Sequence, residues 1–359
     1  MVASNYFQAF PDMVYPFLNG SFEDDISIIF RVAPNSFIIP RATEANEPFV
    51  NDALMDSSMS FRKISLYGRS LFITNFSSTE NIDYIPIKDA MVISEGLYSR
   101  KVKKDSTNVT VGNVKIGSGK LVIAAGPCAV ESEEQLMEIG ERVKEMGANM
   151  LRGGAFKPRT TPYSFQGLGV KGINMMKKVS DYTGLPTVSE IMDISYYKHF
   201  DGKIDMIQVG SRNSQNFALL RFLGQKGMPV LLKNGMGNTI SEWLNSAEYI
   251  LSGGNGNVVM CYRGVRSFED STRFMMDSGA IPVLRERSHL PVCADPSHPA
   301  GKREYVETLA MAAVASGTDM LEIEVHNNPD EALSDAKQQL DFMGFSKLIK
   351  KVRKLKEIT

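Results

Sequence analysis

The chain has 359 residues, 43% of them hydrophobic, and a formal net charge of −1. That length fits one large domain, or one large and one small. The near-zero charge excludes a global basic field for nucleic acid, so basic residues matter only where they converge. Three cysteines (Cys128, Cys261, Cys293) cannot build a disulfide framework and point to a reducing compartment. The first residues lack a basic segment leading into an apolar run, and no apolar run approaches the ~20 residues of a membrane span. The expectation is a cytoplasmic protein with no membrane or nucleic-acid partner.

Residues 1–106 differ in texture from the rest. Apolar runs at 26–32 and 37–39 flank a Pro34-Asn35 turn, and runs at 61–67 and 71–75 flank Gly68. Residues 42–60 are mixed and read as a helix. This makes a small α+β domain. It contains no histidine and no cysteine, so a packing or assembly module is at least as good a reading as a ligand-sensing one. Residues 99–105 are charged and read as a linker. Residues 108–115 alternate around Gly112-Asn113 and read as a hairpin suited to cover the bottom of the larger domain.

From residue 121 short apolar runs alternate with helix-length amphipathic segments such as 133–146 and 240–251. The runs lie at 121–125, 148–151, 185–188, 206–209, 229–232, 258–261, 291–294 and 320–325. Alternation of this kind implies a parallel sheet, and eight units predict a closed (β/α)8 TIM barrel over 107–359. An open doubly wound sheet is the competing arrangement, but no GxGxxG follows its first strand.

At the C-terminal end of the runs stand Cys128, Arg152, Glu190, Arg212, Lys233, Arg263, His298 and Glu324. In a barrel these share one rim, where chemistry is done. So many ionisable groups at the ends of apolar strands need partners or a ligand. Leu151 to Gly169 (LRGGAFKPRTTPYSFQGLG) is the densest stretch. Its Lys157, Arg159, Thr160 and Thr161 sit in a loop stiffened by Pro158 and Pro162. With Arg152, Arg212, Lys233 and Arg263 it makes a cation cluster fit for a substrate with several negative charges, and Gly210-Ser211-Arg212 adds backbone N–H donors for a phosphate. Cys128, His298 and Glu324, with Asp335 on the loop after the eighth run, form a mixed S/N/O set for one divalent ion: Mn, Fe, Co or Zn. Among the remaining candidates, His199 reads as surface, His289 as structural at the opposite rim, and Cys261 and Cys293 as packing. His326 shares the face of Glu324 and reads as a supporting group behind the metal ligands. Glu322, two residues before Glu324, should point inward one layer deeper, where it needs a cation or a proton.

GPCAVES (126–132), the 151–169 loop, VSE (188–190), GSRNSQNF (210–217), LLKNGMGNT (231–239), CYRG (261–264), DPSH (295–298), EVH (324–326) and ALSDAKQQL (332–340) together resemble the 3-deoxy-D-arabino-heptulosonate 7-phosphate (DAHP) synthase family, type I beta subgroup. The resemblance covers about residues 108–345. Its KPRT…FQG loop separates it from the related 3-deoxy-octulosonate 8-phosphate synthases.

The resemblance implies condensation of phosphoenolpyruvate with erythrose 4-phosphate, the first step of the shikimate pathway toward aromatic amino acids. It places the phosphoenolpyruvate among Arg152, Lys157, Arg212, Lys233 and Arg263, and the erythrose phosphate on Arg159 and Thr160. It makes Lys157 or Lys233 the proton donor to the new alkoxide. Glu190 or the metal orients the attacking water. It also implies a homotetramer, and a ferredoxin-like N-terminal domain with an aromatic amino acid as effector. Glu322 departs from the apolar residue expected there. Two other readings compete: a sugar acid synthase using another acceptor, and a non-catalytic sensor of phosphorylated sugars.

Overall fold

In the computed structural model, residues 96–359 are described throughout; before them, the description covers the backbone of five strands. The chain falls into two compact units, Met1–Lys104 and Asp105–Thr359. In the first, β1 (Ile28–Ala33), β2 (Ser36–Pro40), β3 (Phe61–Leu66), β4 (Arg69–Thr74) and β5 (Ala90–Ile93) form one sheet in the order β3-β4-β1-β2-β5. The two expected hairpins are its building blocks: β1 pairs antiparallel with β2, and β3 with β4. They are joined where β1 runs parallel to β4, and β5 adds antiparallel to β2. The helix expected over 42–60 lies outside the described residues.

The second unit opens with the predicted hairpin, β6 (Val109–Val111) and β7 (Val114–Ile116), turned at Gly112 with φ +55°. A closed barrel of eight parallel strands follows: β8 (Val122–Gly126), β9 (Met150–Arg152), β10 (Thr187–Glu190), β11 (Met206–Val209), β12 (Val230–Lys233), β13 (Val258–Tyr262), β14 (Val292–Ala294) and β15 (Met320–Glu324). The ring closes where β15 pairs with β8 over five residues, Met320↔Val122 to Glu324↔Gly126. The (β/α)8 expectation holds.

The helices between the strands are α1 (Glu133–Met146), α2 (Val170–Thr183), α3 (Tyr197–Phe200), α4 (Phe217–Gly224), α5 (Ile240–Leu251), α6 (Ala280–Arg287), α7 (Ser297–Ala300) and α8 (Arg303–Ala315), with α9 (Phe342–Lys356) at the end. Local signals set their limits. Ser132 caps α1 by accepting from the Gln135 N–H, and Gly147 ends it in the left-handed region, φ 101°. Thr239 and Glu242 form a full capping box at the start of α5.

Several strands sit slightly C-terminal of the apolar runs that announced them. Arg152, Glu190 and Lys233 are therefore the last residues of β9, β10 and β12, and Glu324 is the last of β15, all held in the hydrogen-bonded wall rather than on loops. The other end of the lumen is apolar. Val109, Val111 and Ile116 of the hairpin pack with Val122, Met150, Val188, Met206, Leu231, Val259 and Met320 in one buried cluster. The hairpin is a floor, and the site stands above it.

Candidate active site

On β15, Glu322 and Glu324 are two apart, so both face the lumen. Each is 1% exposed, and each meets cations from other strands. The Arg152 guanidinium reaches Glu324 Oε1 at 3.1 Å through Nη1 and Glu322 Oε1 at 3.4 Å through Nε. Lys233 Nζ lies 2.7 Å from Glu322 Oε2 and 2.6 Å from Asp295 Oδ2. Burial alone would lower the Lys233 pKa, but Asp295 and Glu322 outweigh it and hold the ammonium above its ordinary value. The partner that Glu322 requires is thus Lys233, with Arg152 beside it.

The four expected metal ligands converge. Donor atoms of Cys128, Glu324 and Asp335 lie within 4.8 Å of one another. His298 Nε2 is 3.7 Å from Glu324 Oε1 and 3.9 Å from Asp335 Oδ2. The other ring nitrogen, Nδ1, lies 2.6 Å from Asp295 Oδ2, close but without the linear geometry of a full hydrogen bond. A carboxylate behind one imidazole nitrogen turns the other toward the donor group, as in carboxylate–histidine–metal arrangements.

Asp335 is the one non-glycine residue with positive φ (51°) among the described residues. That backbone costs free energy and persists only where its surroundings fix it. Here Gln338 Nε2 donates to both Glu324 Oε2 (2.6 Å) and Asp335 Oδ2 (3.3 Å). Burial, with Glu324 facing it, pushes the Cys128 thiol up to about 12. Two carboxylates and a thiol crowded in this way fit a divalent cation, which would favour the thiolate and relieve the repulsion between the acids. The donor set does not choose among Mn, Fe, Co and Zn.

Next to these donors is a cavity of about 200 Å³. Its lining includes every expected cation (Arg152, Lys157, Arg159, Arg212, Lys233 and Arg263), together with Thr160, Ser211, Glu190, His298 and Asp335. Glycines let the walls close. A Cβ on Gly154 would lie 2.5 Å from the Cys128 carbonyl oxygen and 2.9 Å from Lys157 Cδ. One on Gly210 would lie 1.8 Å from Glu190 Oε1. Lys157 Nζ donates to the Cys128 carbonyl (2.8 Å) and lies 3.0 Å from its sulfur, so it bridges cavity and donor set. Arg263 packs its guanidinium on Phe274 at 4.1 Å and keeps a buried Nη1 without a protein partner, as does the Ser211 hydroxyl. Both are unsatisfied polar groups at the cavity wall, where a ligand would complete them. Arg212 Nη2 donates to Thr160 Oγ1 at 3.3 Å, tying the 151–169 loop to the turn after β11.

Residues 98–359 match the family model described as the DAHP synthetase I family. The chain belongs to that family. A phospho-2-dehydro-3-deoxyheptonate aldolase of Thermotoga maritima is 40% identical over 336 residues, 94% of this chain and 95% of the relative. A 2-dehydro-3-deoxyphosphooctonate aldolase of Geotalea uraniireducens is 32% identical over 269 residues, 70% of this chain and 98% of the relative. Among solved structures, the Thermotoga maritima DAHP synthase superposes with a TM-score of 0.72 at 38% identity, covering 90% of this chain and 98% of that one. A truncated form of the synthase from that organism covers 73% of this chain and 96% of its own, with a TM-score of 0.68 at 42% identity. As a member of the DAHP synthetase I family the chain is an enzyme, as the sequence resemblance implied.

Within this DAHP synthetase I site, sequence reasoning missed Arg273, Gln208, Asp295 and Gln338. Arg273 lines the cavity, lies 3.3 Å from Asp335 Oδ2 and donates to Gln338 Oε1. Gln208 points into the cavity from β11 and donates to Glu190 at 3.4 Å. Asp295 stood in the DPSH motif, three residues before His298, the spacing on which both could have been read. Arg273 carried no such signal in its polar loop.

His326 needs correction. Its Nδ1 accepts from the Asn328 N–H, and its Nε2 lies 2.7 Å from Gln135 Nε2 and 3.5 Å from Glu131 Oε1. These contacts hold its ring against α1 and away from the metal ligands, so it braces the loop after β15. His289 is fully buried and bound to Thr107 (2.9 Å), as a structural histidine should be. His199 lies half-buried on α3. Cys261 and Cys293 are core residues.

Proposed function

We propose that this enzyme condenses phosphoenolpyruvate with erythrose 4-phosphate and water to give DAHP and inorganic phosphate, in a reaction that depends on one divalent metal ion. The observation that carries this reading is the joining of a cation-lined cavity to an S/N/O/O donor set through Lys157. Two phosphorylated substrates and a carboxylate need that many cations, and an aldehyde needs a polarising centre beside them. Cys128, His298, Glu324 and Asp335 would hold the ion, which supplies Lewis acidity toward the aldehyde oxygen.

The chain's own groups do the rest. Arg152, Lys233, Arg212 and Arg263 bind the carboxylate and phosphate of phosphoenolpyruvate, and Arg159 and Thr160 the phosphate of the acceptor. Orientation brings C3 of the enol ether onto the aldehyde carbon. Lys157, whose ammonium stands at Cys128, donates the proton to the new alkoxide. Lys233, locked between two carboxylates, acts as a fixed cation. Glu190, steadied by Gln208, orients the water that adds at C2 and takes its proton. Loss of phosphate then completes the reaction.

Residues 107–359 form the catalytic domain in this reading, with residues 1–106 as an appended assembly or regulatory domain answering to an aromatic amino acid. A soluble homotetramer of the beta subgroup acting in the cytoplasm is the matching biological unit. No helix among the described residues is long and apolar enough to cross a membrane.

A phosphate-release assay with both substrates tests the reading. Activity should vanish with a strong chelator and return with manganese. Arabinose 5-phosphate outperforming erythrose 4-phosphate would move the enzyme to the octulosonate relatives, and no phosphate release from either pair would overturn the reading.

A further inference from the structure

The ionisable groups of the lumen form a closed ring. Glu324 meets Arg152 (3.1 Å), Arg152 meets Glu322 (3.4 Å), and Glu322 meets Lys233 (2.7 Å). Lys233 meets Asp295 (2.6 Å), Asp295 meets His298 (2.6 Å), and His298 returns to Glu324 (3.7 Å). Glu322 lines neither the cavity nor the metal-donor group: it lies one layer below Glu324, over the apolar floor, with Cys261 Sγ 4.0 Å away. Both cations it holds line the cavity above.

We propose that Glu322 is a positioning residue that sets the anion affinity of the cavity, a reading that rests on the function proposed above. Its carboxylate spans the lumen from β15 and grips Lys233 and Arg152 from below. It does two separable things there. As a charge it offsets the field with which the two cations attract phosphate and carboxylate, so that the phosphate product leaves. As a bridge it fixes where the Lys233 ammonium and the Arg152 fork point, since the Arg152 Nε and Nη1 faces are taken up by Glu322 and by Glu324 with the Pro127 carbonyl. The contact to Lys233 (2.7 Å) is shorter than the contact to Arg152 (3.4 Å). Lys233 is therefore the cation it governs more strongly.

Substitution at 322 orphans neither cation. Lys233 keeps Asp295 and Arg152 keeps Glu324. The variants should accordingly fold, which a thermal melt of each verifies. E322Q removes the charge and keeps the length. E322D keeps the charge but is one methylene too short to reach both cations.

The test uses the full chain loaded with manganese. Calorimetry gives the Kd for inorganic phosphate, and steady-state kinetics give kcat and the KM for phosphoenolpyruvate. A unit charge one residue's length behind the bound anion predicts about tenfold tighter phosphate and about tenfold lower KM in E322Q. E322D should keep its phosphate Kd within about threefold of the parent and lose about tenfold in kcat. Phosphate affinity unchanged or weakened in E322Q would overturn the charge role, and unchanged kcat in E322D the bridging role. If either variant fails to fold, the other carries its own half of the test. Should the parent enzyme make no product from the two substrates, the functional reading fails while the phosphate titration still decides for or against Glu322.

Discussion

The two ends of the barrel are built from the same eight strands and have opposite chemistry. At the floor, Met150, Val188, Met206 and Leu231 meet the hairpin residues Val109 and Ile116 in a cluster without ionised groups. At the rim, Arg152, Glu190 and Lys233 end three of those same strands. The floor is held by burial and packing, which are nonspecific and additive over area. The rim is held by pairing, which is specific and fails when one member is lost. Stability should therefore respond at both ends and catalysis at only one.

Lys233→Met strikes both properties and should have the largest effect. It strands Asp295 and Glu322 without their shared cation, so urea unfolding should show a loss of about 3–5 kcal/mol, and activity should fall below detection. Cys128→Ala removes a metal donor while relieving its crowding against Glu324 and Asp335. We expect an activity loss of about 1000-fold and less than one bound ion per chain by elemental analysis, with unfolding of the metal-free protein changed by about 1 kcal/mol or less. A metal-donor variant that unfolds like Lys233→Met would erase the distinction between the two kinds of rim residue.

Ile116→Ala sharpens the comparison from the other side. A fully buried floor residue should cost about 2–5 kcal/mol of stability and leave kcat/KM within about twofold. A large kinetic effect there would mean that floor and rim are mechanically linked. Arg212→Ala, at an exposed rim position, should raise a substrate KM about tenfold without moving the melting temperature. The smallest effect is expected for Thr239→Ala, which removes the α5 capping box and should cost about 1 kcal/mol, with kinetics unchanged.

Much of this arrangement was legible in the chain before folding. Eight mostly apolar runs predicted the ring because a strand buried on both faces is predominantly apolar along its length. Cys128, His298, Glu324 and Asp335 were readable as a set because each followed one of those runs, and ring closure makes neighbours of the first, seventh and eighth. Pairings across the lumen were harder to read. Glu322 was seen to need a cation, but its partners sit on β9 and β12, far away in sequence, and only barrel geometry chooses them. Arg273 was invisible for a related reason: it reaches Asp335 from a polar loop, where an arginine carries no periodic signal. Asp335's left-handed backbone was not read either, although aspartate adopts that region more readily than most residues; Gln338 and Arg273 hold its side chain there.

The β6–β7 hairpin also decides where this chain can be shortened. A version beginning at Asp105 retains the plug, so the base of the cylinder stays dry. One beginning at Val122 would start on an intact ring yet expose Met150, Val188, Met206, Leu231 and Val259 to water as a single greasy disc. Such a surface invites self-association. Solubility, rather than catalysis, would be the first property such a trimmed protein loses.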